Sequence, residues 1–150
     1  MKKIKAQQEI CKALIKGDVV YRHAISEEEI GVVVSGVKGY VFKLEECVFD
    51  VGRLWEGENK TVFTFTEEDL PLDRTPLLLM YGDLLVRRYK AKDFSLYISE
   101  KHAKEFEDEY FFDSKEGDRV LVTDASRKII GVVAPIIADE GMIKAIMGEG

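Results

Sequence analysis

The chain has little of what metal sites and disulfide scaffolds are built from. Its 150 residues include only two cysteines, two histidines and three prolines. No CxxC, HxH or HExxH spacing occurs, so a zinc site would require isolated ligands to converge, and we expect no metal site. Two cysteines cannot form a disulfide framework either. We interpret Cys11 and Cys47 as buried free thiols in a reducing compartment.

Basic charge and long apolar runs are also scarce. The formal net charge is −6, which argues against an extended phosphate-binding face. No run approaches the roughly 18 apolar residues of a membrane span. The first residues contain no apolar segment of signal-peptide length. We therefore expect a soluble, cytoplasmic protein with no membrane partner.

Catalytic and cofactor motifs are missing as well. There is no GxSxG elbow, no GxGxxG after a strand and no phosphate loop, so neither a catalytic residue nor a cofactor is expected. Carboxylates are abundant, but they occur in three acidic runs of the kind that usually covers a solvated face. These runs lie at 27–29, 67–69 and 105–109. The alternative is that a carboxylate pair holds a divalent ion for acid–base chemistry.

What is present favours one folded unit rich in β-structure. Apolar residues make up 46% of the chain and charged residues 33%, which supports a core and a solvated surface. The length suits a single domain, 1–150, with a loop at 66–76 marked by Pro71 and Pro76. β-forming runs and turn signals predict four antiparallel regions. They are 19–42, 61–65, 76–98 and 119–136.

Hairpins and short helices complete the predicted α+β fold of mostly antiparallel sheets. Hairpins are predicted at 30–42 and 75–90, the second with a glycine-first turn at Gly82-Asp83, and Phe94–Ile98 adds a third strand. Gly39 inside the first hairpin indicates a bulge or a close backbone approach. Two or three short helices are expected from amphipathic patterns, with one or two further turns at 44–50. The helical segments are 3–16, 100–107 and 139–150.

The same patterns predict which side chains are buried. In the helix at 3–16, one face carries Ile4, Cys11, Leu14 and Ile15, with Ile10 beside it. At 44–50 the inward residues are expected to be Leu44, Cys47 and Val48. The predicted core of the whole chain consists of large apolar side chains: Phe42, Phe63, Leu78, Met80, Leu85, Leu96, Ile98, Phe106, Val120, Val122, Ile130 and Val132.

One basic cluster is the best candidate for a contact site. Basic residues interleaved with a tyrosine suit phosphates or an acidic partner; the alternative is a charged strand edge that discourages pairing. Alternation would put Arg87 and Tyr89 on one face of a strand. The cluster consists of Arg87, Arg88, Tyr89, Lys90 and Lys92. Arg127 and Lys128 would extend it if the two hairpins were neighbours.

The last hairpin resembles the C-terminal edge of bacterial DNA polymerase sliding-clamp domains. Val120-Leu-Val-Thr-Asp124 and Gly131-Val-Val-Ala-Pro135-Ile136 carry the resemblance, together with the preceding helix from Ser99 to Phe106. It covers about 40 residues and implies a clamp-like α+β domain. The chain is about one clamp domain long, and it continues for a dozen residues where clamps stop, so the resemblance does not imply a working DNA ring.

Three functions follow from these observations. The first is a non-catalytic interaction or scaffold domain of phage or mobile-element type, which binds a protein partner or itself. The second is a DNA-associated accessory domain, based on the clamp resemblance and the basic cluster. The third is a small metal-dependent hydrolase that uses clustered carboxylates.

Overall fold

The structure is a computed structural model in which certain parts of the chain are described. These are residues 3–35, 38–57, 62–63, 69–92, 94–106, 109–114 and 119–136. No helix within these ranges is long and apolar enough to cross a membrane. The helix predicted at 139–150 lies outside them.

Two α-helices and ten strands occur within the described ranges. The helices are α1 (Lys3–Lys16) and α2 (Glu100–Glu105). The strands are β1 (Val20–Ala24), β2 (Glu29–Val34), β3 (Lys38–Lys43), β4 (Trp55–Glu56), β5 (Leu70–Tyr81), β6 (Leu84–Lys90), β7 (Ser95–Ser99), β8 (Tyr110–Asp113), β9 (Val120–Thr123) and β10 (Ile129–Val133). Short 3-10 turns cover Leu44–Glu46 and Val51–Arg53.

The strands form one large sheet, which confirms the predicted α+β class. Their order is β4-β1-β2-β3-β10-β9-β8-β5-β6-β7. The pairings are antiparallel except for the short contact between β1 and β4. The last hairpin joins the first one, because Gly131 in β10 lies opposite Tyr40 in β3. Residues distant in sequence therefore meet at the centre of the sheet.

Both faces of the central sheet are covered by side chains. On one face, Ile10 of α1 and Phe106 after α2 pack against β2, β3 and β9 in the main core. On the other face, Val62 packs with Val33 and Val132. A strand covered on both faces has no polar side, which explains the continuous apolar run of β2.

The predicted hairpins and the second helix are largely confirmed. In the β5–β6 hairpin, Tyr81 pairs with Leu84 and Gly82 has a positive φ of 61°, as a glycine-first turn requires. β7 is the third strand, as predicted. Helix α2 begins after Ser99, and both Ala103 and Phe106 are fully buried. A Cβ on Gly39 would lie 2.9 Å from Val132 Cγ2, which confirms the close approach.

The loop prediction at 66–76 is wrong from Leu70 onwards, because β5 runs through both prolines. Pro71 lies where β5 pairs with β8 on one side only, since pairing with β6 begins at Asp73. Pro76 falls in the register shift between Arg74 and Leu78. Edges and bulges are the places where a strand tolerates a residue without an N–H.

Two further predicted segments differ from the structure. Of the predicted strand 61–65, Val62 and Phe63 are described and form a turn, while the remainder lies outside the described residues. At 44–50 a short 3-10 turn is present, but Leu44 and Val48 are exposed and Phe49 is buried instead. Cys47 is partly buried and packs against the main core.

The face of α1 that is buried differs from the prediction. Ala6, Ile10 and Ala13 contact the core, whereas Ile4 and Ile15 are exposed. Alanines allow the helix backbone to approach the sheet closely, so the close-packed face is the one with small side chains. Of the predicted face, Cys11 and Leu14 are partly buried against the main core, and the two isoleucines at its ends point to solvent.

The predicted core is correct at the centre of the sheet and wrong at the β5–β6 hairpin. Six predicted residues are buried: Phe42, Ile98, Phe106, Val120, Val122 and Val132. Phe63, Leu96 and Ile130 are partly buried. Leu78, Met80 and Leu85 are exposed, because the hairpin buries the opposite face, with Leu79 and Val86.

Candidate functional site

The structure places the first member of the basic cluster in an ion pair. Arg87 donates from Nε and Nη2 to the Glu100 carboxylate at 2.7 and 2.8 Å, and from Nη1 to the Thr75 carbonyl at 3.0 Å. Glu100 is buried at the start of α2, and Arg74 lies 3.6 Å from it. The hydrogen bonds from Arg87 hold the pKa of Glu100 below its ordinary value, against the effect of burial. This guanidinium therefore has an internal partner.

The neighbouring cluster residues also make contacts within the fold. Arg88 donates from Nε to Ser95 Oγ at 3.0 Å. Tyr89 is buried and stacks on Phe111 with ring centroids 4.8 Å apart. Burial raises the pKa of Tyr89 to about 12. Arg87 and Tyr89 share a face, as alternation predicts, but that face belongs to the core side of the sheet.

The remaining basic residues lie in two places, at the end of β6 and in the turn between β9 and β10. Lys90 and Lys92 are exposed, and Lys90 is opposite Asp73. Arg127 lies over the ring of Phe112 at 5.7 Å, and Lys128 pairs with Glu29 at 2.9 Å. The two hairpins are not neighbours, because β8 and the first half of β5 separate β9 from β6. Strands β9 and β6 are three strand spacings apart, which is about 14 Å. That this cluster contacts a partner stays a prediction.

A second polar cluster, which the sequence did not indicate, joins α1, β3 and α2. Lys38 Nζ lies 2.8 Å from Glu9 and 2.7 Å from Glu105, and its side chain is buried. The Tyr40 hydroxyl lies within hydrogen-bonding distance of both carboxylates, to which it can offer its one proton. Burial opposes the charge on Lys38, but the hydrogen bonds to Glu105 and Glu9 outweigh it and raise the lysine pKa. Burial, followed by the charge of Lys38, lowers the pKa of His102.

This cluster is suited to holding elements together rather than to catalysis. A lysine with a raised pKa stays protonated and is a poor nucleophile. The pKa of the Tyr40 hydroxyl is also raised, first by burial and then by Glu105, so it remains a donor. Alternation along β3 would have put Lys38 on the face of Tyr40 and Phe42. A lysine beside a turn is nevertheless usually interpreted as exposed.

The described part of the chain does not assemble the acidic runs into an ion site. Within it, no group of three or more histidine, cysteine or acidic residues has metal-site geometry. Glu27 and Glu28 are exposed and Asp69 is buried, while Glu67 and Glu68 lie outside the described residues. The two cysteines are free thiols, both partly buried rather than fully buried. Burial raises the pKa of the Cys47 thiol, which makes its reactive thiolate scarce.

The most distinct surface feature is the end of the β5–β6 hairpin, residues 78–85, which we call the hairpin arm. Within the described chain, residues 78–81 pair only with β6, and the pairing of β6 with β7 begins at Val86. Four large apolar side chains of the arm are exposed. They are Leu78 (41%), Met80 (62%), Leu84 (39%) and Leu85 (37%).

A second surface, which we call the α1 stripe, follows α1 at residues 4, 8, 11 and 15, where polar Gln8 and core-packed Cys11 lie between two exposed isoleucines. Ile4 and Ile15 are 75% and 83% exposed, and Cys11 is partly buried. Exposed Val48 faces the same region. A groove of about 600 Å³ lies there, lined by Ile4, Gln7, Gln8, Cys11, Lys12 and Val48.

Comparison with known proteins does not add a relative to these observations. No family model matches the chain, and neither a curated protein nor a solved structure is significantly similar to it. Any function assigned to the chain therefore depends on its own surfaces.

Proposed function

We propose that this chain is a non-catalytic interaction domain that self-associates through the hairpin arm. The observation that carries the proposal is the exposure of four large apolar side chains on a two-stranded extension of the sheet. Exposed apolar patches of this kind are typical of protein–protein contact sites. The polar clusters support the proposal, because Arg87 and Lys38 are both engaged in internal ion pairs.

A second copy of the chain is the partner that the composition of the arm favours. Asp83 is the only charged residue in residues 77–86, whereas the whole chain has a net charge of −6. Two copies therefore repel each other least at this position. Met80 lies opposite Leu85 in the hairpin, so both contribute to one face. Two such faces meeting around a two-fold axis would form a self-complementary contact.

Charges introduced on the arm are expected to abolish this association. Met80→Asp combined with Leu85→Asp places two carboxylates in the apolar contact, where they would lose water without gaining partners. The dissociation constant is expected to rise by about 100-fold or more. Light scattering coupled to gel filtration over a range of protein concentrations measures the change.

The matched control is Val19→Asp, which charges another exposed apolar side chain away from the arm. This variant should associate like the original protein. A protein that remains monomeric at hundreds of micromolar, or an arm variant that still dimerises, would refute the proposal. Circular dichroism of each variant separates lost association from lost folding.

The DNA-associated alternative has less support from the geometry. Two of its candidate cations, Arg87 and Lys128, are paired with glutamates, and Lys90 lies opposite Asp73. With a net charge of −6, the chain is expected to show no measurable affinity for duplex DNA at physiological salt. A fluorescence-anisotropy titration at several salt concentrations tests this expectation. Binding with a steep log–log salt slope that Lys90→Glu and Lys92→Glu reduce would establish the alternative instead.

A further inference from the structure

The outer edge of β5 offers backbone groups as well as apolar side chains. Strand β8 pairs with β5 only from Leu70 to Leu72, and no described strand lies beside the rest of β5 on that side. Among the described residues, one side of β5 is therefore an open edge over residues 77–81. An edge strand carries unpaired N–H and C=O groups that can pair with another strand.

The hairpin turn fixes which residues of β5 direct these groups outward. In a hairpin with a two-residue turn, the residues that flank the turn exchange hydrogen bonds, and the bonding alternates from there along the strands. Tyr81 and Leu84 flank the turn, so the backbone groups of Leu79 also face β6. The N–H and C=O groups of Leu78 and Met80 therefore point away from β6.

Strand β7 supports this assignment independently. The Tyr97 carbonyl accepts a hydrogen bond from the Ile136 N–H at 2.8 Å on the outer side of β7. The backbone groups of the next residue, Ile98, therefore face β6, where they lie opposite Arg87. Arg87 thus directs its own backbone groups toward β7 and away from β5. Leu78 lies opposite Arg87 in the β5–β6 pair, so its groups point outward as well.

This edge lacks the features that protect the two terminal strands of the described sheet. Strand β4 has two residues, one of which is the exposed Glu56. The outer side of β7 is covered at Tyr97 by an isolated bridge. Short length, charge, proline and a covering segment all discourage pairing with another chain. Residues 77–81 contain no charged residue and no proline, and Pro76 lies just before them.

We propose that two copies of the chain pair along this edge of β5 around a two-fold axis, so that their sheets become continuous. The pairing rests on the self-association proposed above, and it adds backbone hydrogen bonds to the apolar contact of the hairpin arm. The two apolar faces then meet side by side. Two antiparallel copies of one strand are self-complementary, and a two-fold contact of this kind closes at a dimer.

The outward groups select the register of this pairing. With Leu79 on the two-fold axis, Leu78 of each copy lies opposite Met80 of the other, and the outward groups of both residues find partners. A register centred on Leu78 would place Pro76, which has no N–H, opposite Met80. A register centred on Met80 would place Gly82 of the turn opposite Leu78. The register centred on Leu79 is therefore favoured.

The same register brings the exposed side chains of β5 together. Leu78 and Met80 are 41% and 62% exposed in the single chain. Directly opposite side chains in an antiparallel pair lie about 5 Å apart, so each leucine would contact the methionine of the other copy. Because no charge lies in residues 77–81, no like charges are placed opposite each other.

Proline substitutions on the two edges of the arm test the pairing. Met80→Pro removes an outward N–H from the β5 edge, and Leu85→Pro removes one from the β6 edge directly across the hairpin. Neither substitution removes a hydrogen bond between β5 and β6, and each replaces an exposed apolar side chain. The two variants therefore differ mainly in the edge that they alter. Circular dichroism and urea denaturation show whether each variant is folded.

The dissociation constant is expected to rise about 100-fold or more in Met80→Pro, because proline lacks the N–H and its ring obstructs the edge. In Leu85→Pro it should change by less than about fivefold. Gel filtration with light scattering over a range of concentrations measures both values. Equal weakening by the two variants would overturn the edge pairing and leave association through the apolar side chains. An unsubstituted protein that stays monomeric would overturn both proposals.

Amide exchange of the unsubstituted protein supplies a second test, which does not depend on the folding of a variant. The amides of Leu78 and Met80 should exchange about tenfold or more slowly above the dissociation constant than below it, since only the dimer provides their hydrogen-bond acceptors. The Leu85 amide points outward on the opposite edge, so it is the control and should exchange at one rate. Nuclear magnetic resonance at two protein concentrations measures the three rates. Unchanged exchange of Leu78 and Met80 in the associated protein would refute the pairing.

Discussion

Replacing Arg87 with methionine is expected to lower the free energy of unfolding by about 3–5 kcal/mol. The Glu100 carboxylate is buried at the start of α2 and accepts two hydrogen bonds from this guanidinium. Without Arg87, the carboxylate loses its main counter-charge, and Arg74 at 3.6 Å is too distant for a good hydrogen bond. Urea denaturation at neutral pH measures the loss.

Two controls show whether the effect arises from the unpaired charge. Arg88→Met changes the adjacent residue, whose Nε has one hydrogen bond to Ser95, and should cost about 1 kcal/mol. Arg87→Met together with Glu100→Met removes both charges and should recover much of the stability, since well-packed apolar replacements of a buried pair are often neutral. Equal losses for Arg87→Met and Arg88→Met would contradict the interpretation.

The same pair makes the effect of Arg87→Met dependent on pH. The folded-state pKa of Glu100 is held below its ordinary value of 4.5, so its stabilising contribution is present above that value. The contribution is lost as the pH falls through the folded-state pKa. In the Arg87→Met variant, burial without the guanidinium should raise the pKa of Glu100 instead. The stability difference between the two proteins should therefore shrink as the pH is lowered from neutral to about 4.

Gly131→Ala is expected to destabilise the protein by about 1–3 kcal/mol, although alanine is intrinsically the better residue in a strand. A Cβ at this position would lie 2.8 Å from the Gly39 carbonyl oxygen and 2.8 Å from Phe106 Cε1. The first contact is with the backbone of the neighbouring strand β3, and the second is with a ring that is fully buried. Neither can move without disturbing the core.

Gly52→Ala is the matched control for this substitution. Gly52 is exposed, and its added Cβ would meet the Asp50 carboxylate oxygen at 3.2 Å. Its effect on urea denaturation should stay within about 0.5 kcal/mol. If Gly131→Ala were as harmless as this control, the close approach of β10, β3 and Phe106 would not limit the packing of the sheet.

Local pattern was sufficient for the hairpins and for the two helices within the described residues. The glycine-first turn at Gly82-Asp83 and the strands around it depend on backbone preferences of a few adjacent residues, and the same is true of α1 between Lys3 and Lys16. Such preferences are encoded within a short window. Pro71 and Pro76 misled the prediction because a proline tolerated at an edge or a bulge cannot be distinguished locally from one that ends a strand.

The candidate surfaces could not be predicted from the sequence, because their location depends on which face each strand or helix buries. In β5, residues Leu77 to Met80 are all apolar. No polar residue therefore marks which face of the strand is exposed. In α1, the larger apolar side chains suggested burial of Ile4 and Ile15, but the sheet accepts the face with Ala6 and Ala13. Burial is decided by the shape of the opposing surface, and that surface is built from strands far away in sequence.

By itself, the sequence determined the α+β class, the hairpins and the shortage of metal ligands, because composition and short-range periodicity carry that information. Only the tertiary structure decided that Arg87 would be paired with Glu100 and that Lys38 would join α1 to α2. It also decided that four apolar side chains of the hairpin arm, and Ile4 and Ile15 of α1, would stay exposed. The physical reason is that charge pairing and burial depend on the order of strands in the sheet, which short-range pattern does not specify.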